Sequence, residues 1–290
     1  MEQVHKSLTR TVAKVPWLSR YAYGITLLAY IVSQFFSLIP LIVALAFTFT
    51  NWQTIEDSLL DQPWMSLALT GVGALGLLLV LYIFLKKKHY SFKHLKLSKR
   101  LPLKTIGLVF GIYIVYLLAS IIVNAVTQAL FPGYNADQEQ VIGYADAVGW
   151  QLLLAFVGLV IIPPVAEEMV FRGFLYQGLR DHWKKYDALW WGLGIAVVVA
   201  ALVDPIAGIV VAMAMYGAVV VGKKHPARAA ALVTSIIFGL VHMQWNIAID
   251  TFILSFALVY VFEKTQNLWA AIALHALKNG IAFVGLFLLS

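Results

Sequence analysis

Two carboxylates stand side by side at Glu167 and Glu168 in the stretch PPVAEEMVFRGFLYQGLR, Pro163 to Arg180, and an arginine follows at Arg172. The preceding run, Trp150 to Ile162, contains one polar side chain, Gln151. Two histidines have equally apolar surroundings, His242 in IIFGLVHMQWN and His275 in ALHALKNG. The other five, His5, His89, His94, His182 and His225, sit in or beside basic loops and read as solvated side chains. Ionisable groups inside long apolar runs are costly, so each is a functional hypothesis by default. With no cysteine in the chain, any chemistry must come from Glu, Asp, His, Ser, Thr or Tyr.

Helical spacing divides these residues. Glu168 and Arg172 are four apart and share a face, so an ion pair between them offsets much of the burial cost of both. Glu167 is turned by about 100° and is left to face another helix. His275 and Asn279 are also four apart and project together. Pro163 and Pro164 are expected to interrupt the preceding helix and start a new one just before the glutamates, whose charge a helix N-terminus favours. Glu168 with Arg172 taken alone reads as a structural pair, and a lone buried histidine as a packing group. A common depth favours the sharper reading. Counting roughly 1.5 Å per residue from the nearest base, Glu167 lies about 20 Å from Arg180, His242 about 21 Å from Arg228, and His275 and Asn279 about 17 and 22 Å from Lys264. Groups on three helices can thus meet near one level, as a catalytic or ion-handling site requires.

The elements that must hold this site are membrane helices. The 290-residue chain is 61% hydrophobic and 12% charged, with a mean hydropathy of +0.84, which lies outside the soluble range and indicates a polytopic membrane protein. Its net charge of +7 falls in short clusters between apolar runs, the pattern of cytoplasmic loops rather than of nucleic-acid binding. Runs long enough to span, or nearly so, are Ile25 to Phe49, Met65 to Leu85, Ile106 to Leu130, Trp150 onward, Leu189 to Val203, Ile206 to Val221, Ala229 to Trp245, Ile247 to Phe262 and Leu268 to Leu289. The expected fold is an all-α transmembrane bundle of eight to nine helices. Basic and acidic connections alternate, Asp250 serving as the acidic marker of one of them, which places the N-terminus inside and the C-terminus outside a cell membrane. The first run is too long for a signal-peptide core. Three parts follow: a basic cytoplasmic segment 1–24, N-terminal transmembrane helices with a basic loop over 25–149, and a catalytic helical core over 150–290. Within the first, Val4, Leu8, Val12 and Val15 fit either a helix on the inner leaflet or an ordinary juxtamembrane stretch.

Three patterns now stand in order: Glu-Glu-x-x-x-Arg at Glu167 to Arg172, Phe-x-x-x-His at Phe238 to His242, and His-x-x-x-Asn at His275 to Asn279. Together they resemble the CPBP family, which contains the type II CAAX prenyl endopeptidases and relatives linked to bacteriocin processing and immunity. The approach FEKTQNLWAAIALHALKN is similar as well, and the resemblance covers Trp150 to the C-terminus. It implies an intramembrane endopeptidase in which Glu167 with His242 activates water, Glu168 and Arg172 support them, and His275 and Asn279 stabilise the oxyanion. It also implies a peptide or protein substrate in the bilayer, prenylated or not. Two departures are an extra hairpin at 189–221, expected to pack outside the site, and Lys278 at membrane depth, read as snorkelling or as pairing with a substrate carboxylate.

Three rivals stay open. Glu167, His242 and His275 could supply three ligands to a zinc ion with water as the fourth, making a metalloendopeptidase, although the preferred reading requires no cofactor. The same residues could relay protons or ions in a transporter. A non-catalytic immunity or scaffold protein could keep the fold and bind a partner. The preferred reading expects Glu167, His242, His275 and Asn279 to face one water-filled pocket opening toward the cytoplasm.

Overall fold

The computed structural model describes residues 14–48, 62–97, 100–131, 133–134, 143–144, 147–242 and 244–289. Most of segment 1–24, including Val4, Leu8 and Val12, therefore lies outside the described residues. What is described is helical throughout: α1 (Ser19–Ser37), α2 (Ile39–Thr48), α3 (Pro63–Lys87), α4 (Leu103–Leu130), α5 (Gln151–Asp181), α6 (Lys185–Leu202), α7 (Pro205–Gly222), α8 (Pro226–Leu240), α9 (Trp245–Thr265) and α10 (Leu268–Phe287). Among the described residues eight spans are long and apolar enough to cross a membrane, α1 and α2 counting together, and α8 is a ninth, shorter apolar helix. The run from Ile25 expected as one helix is thus two, meeting at Leu38.

The helix starts follow from local chemistry. Proline opens the first turn of α3, α7 and α8, where its missing N–H costs nothing. Asp204 caps α7 by accepting from the amides of Ile206 and Ala207, and Asn267 caps α10 by accepting from Trp269. Gln266 adopts a left-handed conformation, φ 49°, to end α9 and turn the chain into α10.

One end of the bundle is tied together by these turns. Arg180 at the end of α5 donates to Glu263 at the end of α9, 2.5 Å away, and to Asp181. Asp181 also accepts the amide of Val15, while Trp17 donates to the carbonyl of Phe174. The basic loop after α3 docks on the start of α10 through Leu268 N–H to Lys96 O and Trp269 Nε1 to Leu97 O. The basic segments therefore gather at one level, as depth counting from Arg180 and Lys264 assumed.

From that end α5 runs through the middle of the bundle, with every residue from Glu168 to Leu179 buried. α1 and α3 pack on it from one side, α8, α9 and α10 from the others, and α4 lies outside α9 and α10. The outer faces are apolar: Ile106, Phe110, Ile114, Leu118 and Ile121 of α4 are all exposed, which suits lipid rather than water. The α6–α7 hairpin leans on α1 and α8. It contributes no side chain to the cavity described next, in keeping with its expected place outside the site.

Candidate active site

The double proline does not break α5. A π turn, Val157–Ile161, leads into the α-helical segment Ile162–Val170, and a second π turn, Phe171–Tyr176, follows. The chain stays helical from Gln151 to Asp181, so no free helix N-terminus faces the glutamates and that part of the sequence expectation falls away. Neither Pro163 nor Pro164 has an N–H for the carbonyl of Leu159, which lies four and five residues back, so neither the α nor the π register supplies it a donor. Asn279 of α10 fills the gap, its Nδ2 donating to that carbonyl at 2.9 Å. The prolines are retained at membrane depth because a neighbouring helix satisfies the carbonyl they orphan.

Glu168 and Arg172 form the expected pair, 2.7 Å apart and both fully buried. The same carboxylate oxygen accepts from Nδ1 of His275 at 2.9 Å. Arg172 sends its other terminal nitrogen to Ser255 of α9, 2.7 Å away, and lies over the ring of Phe238 at 4.2 Å. Phe238 in turn meets His242 and His275 edge to face, at 5.1 and 5.8 Å. Its place in the Phe-x-x-x-His pattern has a physical reason: one ring packs at once against the guanidinium and both imidazoles. Ser255 carried no signal in the sequence beyond being a hydroxyl in an apolar run.

His242 lies just past the end of α8, which stops at Leu240, rather than within a spanning helix. Gly239 makes the reversal possible, since a Cβ there would sit 2.7 Å from the carbonyl of Ala248 in α9. His242 Nδ1 is 2.8 Å from the carbonyl of Phe238. A carbonyl only accepts, so Nδ1 carries the proton and Nε2 keeps its lone pair.

Glu167 and His242 line one cavity of about 350 Å³, walled by α1, α3, α5 and the turn after α8. Oε2 of Glu167 is buried there without a hydrogen-bond partner among the described residues. The expectation of one pocket for four residues needs correction, because neither His275 nor Asn279 lines it. His275 stands behind, bound to Glu168, and Asn279 is bound to Leu159. The cavity's walls on α1 are Tyr30 to Ser37 and on α3 Leu69 to Leu77, around and beyond the middle of each helix counted from the basic end. A shared zinc ligand set is not formed either: among the described residues no three His, Asp or Glu side chains cluster as metal ligands, and Glu167 and His275 face different partners.

A second polar group was missed. Asp250, read as the marker of an acidic loop, is a buried residue of α9 that accepts from Tyr116 at 2.8 and 2.9 Å and from Ser120 at 2.6 Å. Lys278 of α10 lies 3.5 Å from it, so the lysine has an internal counter-ion rather than snorkelling. Its signal was available: Tyr116, Ser120 and Asn124 recur at four-residue spacing on an otherwise apolar α4.

Residues 149–223 and 216–281 match the family model described as type II CAAX prenyl endopeptidase Rce1-like. These stretches contain Glu167, Glu168, Arg172, His242, His275 and Asn279. No curated protein and no solved structure matches the chain significantly.

Proposed function

Since residues 149–223 and 216–281 match this Rce1-like model of CAAX endopeptidases, we propose that the chain hydrolyses a peptide bond of a membrane-held substrate with water activated by Glu167. The observation that carries the reading is the buried, unpartnered Oε2 of Glu167 on the wall of a cavity shared with His242. A carboxylate without a donor in a low-dielectric site holds its lone pair for the proton of a water. His242, with Nδ1–H committed to Phe238, accepts that water's other hydrogen at Nε2 and aims its oxygen at the substrate.

In this mechanism Glu167 takes one proton, and the hydroxide oxygen bonds to the scissile carbonyl carbon. The C–N bond then breaks as Glu167 returns the proton to the leaving nitrogen. Glu168, Arg172 and His275 act as positioning residues, holding α5 against α9 and α10 so that Glu167 keeps its direction. Asn279 fixes the helix beneath it. The substrate is a peptide or protein reached from the bilayer, and the basic end of the bundle faces the cytoplasm.

Hydrolysis in ¹⁸O-labelled water tests this reading. Purified protein in a lipid nanodisc should cut a prenylated CAAX peptide, placing one ¹⁸O in the new carboxylate. Absence of cleavage across a panel of prenylated and unprenylated peptides would remove the hydrolase reading. The orientation is checked in intact cells, where an impermeant thiol reagent should fail to label Ser91→Cys and Lys184→Cys.

A further inference from the structure

The wall facing Glu167 is built by the two N-terminal helices, which lie outside the stretch that matches the family model. On α1 four of its residues are Tyr30, Ser33, Gln34 and Ser37. Their spacing of three, one and three puts all four on one face of the helix. Such a row is unexpected at this depth, since a polar group in hydrocarbon without a partner costs several kcal/mol. Yet the side chains of Tyr30, Ser33 and Gln34 make no hydrogen bond to any described residue, and Ser37 donates only to the carbonyl of Gln34. Tyr30, Ser33 and Gln34 thus bring to the cavity donors and acceptors that no described residue engages.

α3 packs directly beside part of the row. A Cβ at Gly73 of α3 would lie 3.3 Å from Cβ of Ser37 and 3.4 Å from Oγ of Ser33, so glycine lets α3 close one edge of the cavity next to the row. The cavity has small residues at Ala74 and Ala166 as well. From Tyr30 to Ser37 is seven residues, roughly 10 Å along the helix, which matches about three residues of extended chain at about 3.3 Å each. An extended peptide within a membrane must have its N–H and C=O groups satisfied by the protein, because it has no helix of its own to satisfy them. The row offers what such a chain lacks.

We propose, on the hydrolase reading above, that Tyr30, Ser33, Gln34 and Ser37 form a cradle for the main chain of an unwound substrate, with Tyr30 donating to the scissile carbonyl. Tyr30 lines the cavity together with Glu167, and its ring is held edge to face against Phe171 at 5.6 Å. The recognition is of backbone amides about three residues to one side of the cut. The oxyanion role falls to Tyr30 because His275 and Asn279 do not line the cavity.

The test uses full-length protein in nanodiscs and a quenched-fluorescence prenylated CAAX peptide, alongside copies N-methylated at single amides on either side of the cut. Tyr30→Phe should lower kcat about 100-fold with little change in KM, as loss of one oxyanion donor does. Gln34→Leu and Ser33→Ala should raise KM several-fold with kcat held. Thermal unfolding should be unaffected in all three, since none removes a hydrogen bond present in the fold. Gln34→Leu combined with N-methylation at the amide it serves should weaken binding no further than either change alone, read as peptide-induced thermal stabilisation of a Glu167→Gln protein. Additive losses at every methylated position, or unchanged kinetics in the row variants of a cleaving enzyme, would overturn the cradle. Binding that depends on the row without cleavage by wild type would support the cradle and count against the hydrolase reading. Neither binding nor cleavage would overturn both.

Discussion

Two groups of buried ionisable side chains meet α10, one at Lys278 and one at His275, and they differ in how their carboxylates are held. In the first, Asp250 has donors on both oxygens from Tyr116, a further donor from Ser120, and Lys278 as counter-ion. In the second, Glu168 has Arg172 and His275 on one oxygen while its Oε2 is buried without a partner among the described residues, and the same is true of Oε2 in its neighbour Glu167. A saturated buried carboxylate has done its work once the fold is made. An unsatisfied one carries a desolvation cost the fold does not recover, and such costs collect where a ligand or a reacting water supplies the missing partner. What sets Glu167 apart from Glu168 is therefore not the bare oxygen, which both have, but its place: Glu167 lines the cavity with His242, while Glu168 is tied to Arg172 and His275.

The contrast is broken most directly by removing each carboxylate's charge. Glu167→Gln should cut turnover of a cleaved peptide about 10⁴-fold, on the order of 5.5 kcal/mol in transition-state free energy, while thermal unfolding stays at the wild-type value. Cleavage retained at wild-type rate would return Glu167 to a structural role. Glu168→Gln should act the other way round, lowering unfolding free energy by about 3–5 kcal/mol because Arg172 keeps its charge without its partner. Chemical denaturation of the purified variants reads this, and activity should fall only in proportion to the folded fraction at moderate temperature.

Asp250→Leu sharpens the comparison from the other side. It leaves Lys278 without a counter-ion and should cost about 2–3 kcal/mol, most of it recovered in the double variant with Lys278→Met, since removing both members of a buried pair is often neutral. Cleavage kinetics of the double variant should match wild type, because no residue of this group lines the cavity of Glu167 and His242. A double variant that folds and has lost turnover would show that the second group belongs to the site.

How far this was legible depends on whether a contact is local along the chain. The Glu168–Arg172 pair follows from a spacing of four, and the matched depth of Glu167, His242 and His275 from counting residues to the nearest base; both reappear in the fold. Helix number and the outlying hairpin were readable for the same reason, since apolar length alone carries them. Rotation was not. Depth counting placed His275 and Asn279 beside the water, whereas their partners are Glu168 and the carbonyl of Leu159. Asp250 was misread because a charge one turn from a helix start looks in sequence like a loop residue, and only Tyr116 and Ser120, some 130 residues earlier, show that it is inside. The polar row on α1 was overlooked because the run from Ile25 onward was judged by its average hydropathy, which a single polar face barely lowers.

The smallest expected effect concerns Asn279, where two roles make opposite forecasts. An oxyanion donor lost in Asn279→Ala would reduce kcat by 10²–10³-fold and leave stability alone. A side chain that satisfies the carbonyl orphaned by Pro163 and Pro164 should instead cost about 1–2 kcal/mol of stability with little change in kcat, as an unpaired buried carbonyl does. Pro163→Ala distinguishes them further. It restores an N–H four residues after Leu159, so the carbonyl regains a helical donor and no longer needs α10. In that background Asn279→Ala should lose most of its cost, a non-additivity that a denaturation double-mutant cycle measures. Additive costs would mean that the bond to Leu159 contributes nothing, and Asn279 would then be free to turn toward the substrate, as the motif resemblance had implied.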